Sequence, residues 1–185
     1  MKNYCETELR VLIDSWREVC KCVELKRQLN EVNRNIQIPK IPTPLPEMLT
    51  LFAIRKGLLL DKPITNAWLG NGGGQAIVAK APDITVKIAK LYVTVEVKGV
   101  QECEFITYGI KDHQADYLVC LMFGEDFRRG GMDCRAVIFP KLGNILARHK
   151  IRRRITIKQL CQLRSKWWCT NLNIKEVLSC ALNLA

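Results

Sequence analysis

The chain has 185 residues, enough for one domain with a central sheet and covering helices and too few for two full domains. Hydrophobic residues at 48% exclude a disordered basic tail, and 29 Lys and Arg against 18 Asp and Glu give a formal charge of +11, which favours polyanionic partners. No run approaches the ~18 apolar residues that span a bilayer, and MKNYCETELR has no apolar signal core, so a cytoplasmic protein without membrane contact is expected.

In chain order, Leu9, Leu12, Ile13, Trp16, Val19, Cys20 and Val23, then Leu29 and Val32, recur at three- and four-residue spacing between charges. This predicts an amphipathic helix over about residues 4–34, with Asn3 and Glu6 as its capping box. IPKIPTPLP, residues 38–46, has prolines at 39, 42, 44 and 46 and reads as an extended connector; Pro46 suits the first position of a helix that Gly57 ends. The glycine-dense NAWLGNGGGQ, residues 66–75, is followed by no Gly-Lys-Ser/Thr, so it predicts a mobile turn into a strand QAIVA rather than a phosphate loop.

Residues 101–114 predict a helix, weakened by Thr107 and Gly109. YLVCLMF, 117–123, is a continuous apolar run between Asp116 and Gly124, as expected of a strand covered on both faces. GEDFRRGGMD then makes a polar turn and CRAVIFP, 134–140, another strand. The remainder predicts helices: LGNILARHK, TIKQLCQLRSKWW with Thr156 and Gln159 as a capping box, and NIKEVLSCALNL with Asn173 and Glu176 as another. The last two make a poor helix-turn-helix, since the second offers only Lys175 as a base. The organisation expected is one domain, 1–185, with an N-terminal helix within 1–37, a core over 46–140 and a helical part over 141–185.

Nine cysteines, an odd count without a secretory signal, argue against a disulfide framework. Cys20-Lys21-Cys22 lacks a second pair or a nearby His for zinc, so most cysteines read as small buried hydrophobes. His113 and His149 lack the partners of a triad or a metal-bound base, and Trp16 and Trp68 read as core residues.

The chemistry concentrates in APDITVKIAKLYVTVEVKG, residues 81–99. Strand alternation puts Ile84, Val86 and Ile88 on one side and Asp83, Thr85 and Lys87 on the other; likewise Leu91, Val93, Val95 and Val97 oppose Tyr92, Thr94, Glu96 and Lys98. A hairpin turning at Ala89-Lys90 pairs Asp83 with Glu96, Thr85 with Thr94, Val86 with Val93 and Ile84 with Val95, matching like with like; a one-residue slip would set valines against charges. Ala-Lys is poor turn chemistry, which leaves room for a longer or bulged turn. Two carboxylates so placed repel unless a cation joins them, and a hard divalent ion with oxygen ligands supplies that reason. Lys98 would then hold the attacking water or stabilise developing negative charge.

Pro82-Asp83, twelve residues, then Glu96-Val97-Lys98 resembles the core motif of the PD-(D/E)XK nuclease superfamily, and the helix, strand, helix, strand order over 46–140 is similar to its restriction-endonuclease-like fold. The resemblance implies an α/β domain with a mixed central sheet flanked by helices. It makes Asp83 and Glu96 metal ligands, the Val97 carbonyl a third, and Lys98 the catalytic lysine. The cofactor it implies is Mg²⁺, with Mn²⁺ able to replace it, and Glu47 is the candidate for a further acid from the preceding helix. The expected activity is DNA endonuclease, foremost a type II restriction endonuclease acting on double-stranded DNA as a homodimer through the N-terminal helix. A junction resolvase or repair nickase shares this chemistry. The rivals of other classes are a non-catalytic basic DNA-binding protein and a redox or metal sensor built on the cysteines.

The densest basic run, with Arg152, Arg153 and Arg154 followed by Lys158, is the candidate for contacts to the nucleic-acid backbone, a solvated helix face being the ordinary alternative. Arg128 and Arg129, in a turn after a core strand, are further candidates.

Overall fold

The computed structural model describes residues 6–29, 39–70, 82–101, 105–107, 114–141, 154–163 and 167–179. The first helix, α1 (Glu6–Leu29), buries the stripe Leu9, Ile13, Trp16 and Cys20, as its spacing predicts; Asn3 of its expected capping box lies outside the described residues. Helix α2 (Pro44–Arg55) starts two residues before the expected Pro46. Both prolines fit because the N–H groups of a first turn have no acceptor within the helix, so proline's missing donor costs nothing there. Gly57, at φ 71°, ends it: Gly57 N–H donates to Ile54 O and Leu58 N–H to Ala53 O, both at 2.9 Å, which satisfies the last carbonyls.

The glycine-dense segment opens with a strand rather than a turn: Asn66–Leu69 is β1, and the turn begins at Gly70, φ 66°. The expected strand QAIVA lies outside the described residues. β1 pairs antiparallel with β2 (Ile84–Ile88), which pairs with β3 (Leu91–Val100) in the register that side-chain alternation selects. Ile84 faces Val95, Thr85 faces Thr94 and Val86 faces Val93. The turn between them is the tight two-residue Ala89-Lys90 rather than a longer or bulged loop, and Ala89 takes φ 53°. Because a Cβ is disfavoured there, Ala89→Gly is expected to stabilise the fold by up to about 1 kcal/mol, read as a higher urea midpoint at unchanged slope.

The chain continues through β4 (Phe105–Thr107) and β5 (Tyr117–Met122), a single-turn helix α3 (Glu125–Arg128), β6 (Asp133–Pro140), β7 (Arg154–Thr156), α4 (Ile157–Leu163), β8 (Trp168–Asn173) and α5 (Ile174–Leu178). Two expectations fail here. Residues 105–107 of the predicted helix 101–114 are a strand, because aromatic and β-branched Phe105, Ile106 and Thr107 find a partner in β7. Trp168 to Asn173, which joins the two predicted helices and takes one residue from the end of each, is a strand beside β6, which also removes any helix-turn-helix. The Thr156–Gln159 box does form, with Thr156 N–H donating to Gln159 Oε1 at 3.0 Å and Gln159 N–H to Thr156 Oγ1 at 3.1 Å. Asn173 caps α5, its side chain accepting from Lys175 N–H. The predicted helix LGNILARHK lies outside the described residues.

The main sheet runs β1-β2-β3-β5-β6-β8, with β3 and β5 parallel and the other neighbours antiparallel. It is a mixed sheet flanked by helices. One face carries Val95, Val97, Val119, Leu121, Ala136 and Ile138 against α1, α2 and α5. The other carries Val100, Leu118, Cys120, Val137 and Phe139 against Ile155, Ile157 and Leu160 from β7 and α4. This second apolar cluster lies over β5 and β6, and on the same face β2 and β3 present polar side chains.

Six cysteines are described and none of them is in a disulfide; Cys20, Cys120 and Cys134 are buried, Cys22 and Cys169 exposed. Burial, with a smaller push from Asp133, raises the Cys134 thiol to about 12. The folded state therefore keeps a proton that the unfolded chain, titrating near 9, gives up. This contribution is whole below about pH 9 and is lost as pH rises toward 12, at about 1.4 kcal/mol per pH unit. Urea unfolding across that range is expected to show a shallower alkaline decline in Cys134→Ala than in the parent.

Candidate metal and phosphodiester site

Register places the predicted residues in rows across the second sheet face. Thr85 and Thr94 form one row; the paired ladder ends at Ile84–Val95, so Asp83 lies just outside it and the expected Asp83–Glu96 pair is not part of the register. Glu96 aligns with Leu118 on β5, and Lys98 with Cys120. Asp83 sits where β2 leaves the sheet, its carbonyl accepting from Gly70 N–H at 2.8 Å. Its carboxylate turns toward β3, and Oδ2 accepts from Val97 N–H at 2.8 Å. Asp83 is thus fastened to the middle of the Glu96-Val97-Lys98 tripeptide. The hydrogen bond replaces the ladder bond that β2 would have made had it continued.

Glu96 is 2% exposed and Lys98 half-buried, at the seam between the apolar cluster under β5 and the polar side chains of β2 and β3. A carboxylate removed from water this far requires compensating charge or hydrogen bonds. Two carboxylates and a backbone carbonyl are hard oxygen donors, the donor type that a Mg²⁺-type ion takes. Among the described residues no three His, Cys, Asp or Glu side chains gather as a metal-holding group. Glu47 lies in the first turn of α2. The neighbouring Pro46 packs on Gly99, where an added Cβ would come within 2.6 Å of the proline Cγ.

Sequence reasoning used Asp116 only as a strand boundary, yet it braces the site. Its Oδ2 accepts from Thr94 N–H at 2.9 Å and Thr94 Oγ1 at 3.0 Å, and its own N–H donates to Thr94 Oγ1 at 3.0 Å. This ties β3 to the start of β5 two residues before Glu96. Thr85 Oγ1 likewise donates to Gly70 O at 2.6 Å. An acid directly before an apolar strand was the available signal. Trp68 is also not a core residue: it stands half-buried on the polar face near Tyr92, whereas Trp16 is buried as expected.

The basic candidates divide. Arg129 pairs with Glu125 at 2.6 Å and Glu24 at 3.4 Å, and the Arg128 side chain is 14% exposed, 3.5 Å from Glu125. Both sit in and just after α3, at the end of the sheet where Asp83 lies, with carboxylates already beside their charges. Lys158 is exposed on α4; Arg154 belongs to β7, and Arg152 and Arg153 lie outside the described residues. No described helix is long and apolar enough to cross a membrane. Compared with known proteins, the chain matches no family model, no curated protein and no solved structure.

Proposed function

We propose that the protein is a metal-dependent DNA endonuclease with a restriction-endonuclease-like fold, in which Asp83 and Glu96 hold Mg²⁺ or Mn²⁺ and Lys98 acts on the phosphodiester. The observation that carries this reading is the 2.8 Å bond from Val97 N–H to Asp83 Oδ2, in a register that sets Glu96 and Lys98 on the same face. Once bound, the cation supplies charge neutralisation at phosphate and an acidified water. Lys98 presents an ammonium to the charge that develops on phosphorus-bound oxygen, and Asp83 keeps its carboxylate aimed through the Val97 bond. The Val97 carbonyl is the third oxygen donor.

The role is that of a type II restriction endonuclease. One such site cuts one strand at a time, so cutting both strands requires a homodimer. The outer side of α1, with Val11, Val19 and Leu25 more than half exposed, is the surface for it. Junction resolvases and repair nickases share the chemistry, and branched substrates run beside linear duplex separate them. A second reading, a basic DNA-binding protein that keeps the fold without hydrolysis, draws on the burial of Glu96, which narrows access for phosphate. Digestion of plasmid and mixed DNA with Mg²⁺ and with chelator decides: cleavage only with Mg²⁺ supports the nuclease, and equal binding in both with no cleavage supports the rival.

A further inference from the structure

The part of the site face over β1–β3 carries an aromatic pair that hydrolysis does not use. Trp68 aligns with Thr85 and so with Thr94, two residues along their strands from Asp83 and Glu96; Tyr92 aligns with Lys87, one row further. The two rings have centroids 6.5 Å apart and planes 30° from parallel. Tyr92 is 58% exposed, Lys87 half-buried beside it, and Lys90 exposed in the turn. Successive rows on one face of a strand are about 7 Å apart, so the rings stand roughly one and two rows from the acids.

Here Trp68 is half-buried and Tyr92 exposed; solvent-accessible aromatic faces bordered by lysines are the surface on which nucleic-acid bases stack while cations meet the backbone. The charge is complementary: Lys87 and Lys90 border the rings, in a chain of net charge +11. In an intact duplex the base faces are already stacked on each other and closed to side chains, whereas an unpaired nucleotide offers its face. We propose, resting on the nuclease reading above, that Trp68 and Tyr92 with Lys87 form a stacking platform for an unpaired nucleotide beside Asp83 and Glu96. A substrate with single-stranded nucleotides at the point of cleavage, such as a frayed end, a flap or a mismatch, then favours the repair-nickase or resolvase form of the nuclease reading over restriction of intact duplex.

The test is fluorescence anisotropy in chelator with the full chain, using a labelled oligothymidylate and a blunt, fully paired duplex of the same length. Trp68→Ala and Tyr92→Ala are each expected to weaken oligothymidylate binding about tenfold, with duplex binding unchanged and with Trp68→Phe and Tyr92→Phe restoring it. Wild-type affinity in both alanine variants overturns the proposal. So does an equal loss on both probes, a loss that phenylalanine does not rescue, or failure of the parent chain to bind oligothymidylate. Because no hydrolysis occurs in chelator, this result stands apart from plasmid cleavage: a failed platform leaves Mg²⁺-dependent cleavage standing, and absent cleavage leaves the binding result standing.

Discussion

Lys98→Ala is expected to lower Mg²⁺-dependent plasmid cleavage by about 10²–10³-fold, the cost of removing one preorganised charge from a transition state. The side chain is half-buried at the seam of the face, outside both apolar clusters, so thermal unfolding should stay within a few degrees of the parent. Asp83→Asn gives a sharper separation. An asparagine carbonyl can still accept from Val97 N–H, so the backbone arrangement survives while the negative charge goes. Titration calorimetry with Mn²⁺ should show binding lost in Asp83→Asn and retained in Lys98→Ala. Full cleavage by either variant would remove the nuclease reading.

Phe127→Ala is expected to cost about 3–5 kcal/mol, enough to unfold much of the population of a marginally stable domain. Phe127 is fully buried, with Phe123 at 5.0 Å and Trp16 at 6.1 Å between ring centroids, and the Arg17 guanidinium lies 4.5 Å over its ring. Arg17 Nε also donates to Phe127 O at 3.0 Å, and its Nη2 donates to Gly131 O. Removing the ring opens a cavity under a buried cation whose own burial lowers its pKa, with desolvation the main cause. Urea unfolding by circular dichroism measures the loss, and Phe127→Leu should recover most of it.

The hairpin was legible because its two segments alternate with period two and match polar to polar in one register only, so a local pattern determined a local pairing. The helix stop at Gly57 and the Thr156–Gln159 box were legible for the same reason: their partners are three to five residues away. Residues 105–107 and 168–173 were not. Their strand state depends on β7 and β6, distant in sequence, and no local period announces a pairing of that range. The glycines after Leu69 hid β1, whose four residues are too few to show a period. On the site, parity gave the common face of Glu96 and Lys98, whereas the Asp83–Val97 bond and the Asp116 brace depend on where β2 stops and β5 starts.

The tight turn at Ala89 has a kinetic consequence. It joins β2 to β3 by the shortest closure in the sheet, whereas the parallel β3–β5 pairing must wait for a crossover from Val100 to Tyr117. Local closures form in microseconds and non-local ones more slowly, so Asp83 is brought to the Glu96-Val97-Lys98 tripeptide before the centre of the sheet exists. Two like charges meet early in an open, hydrated hairpin, where repulsion is screened, and Glu96 is buried only when β5 arrives. Divalent cations present during refolding should therefore speed the later step more than the first.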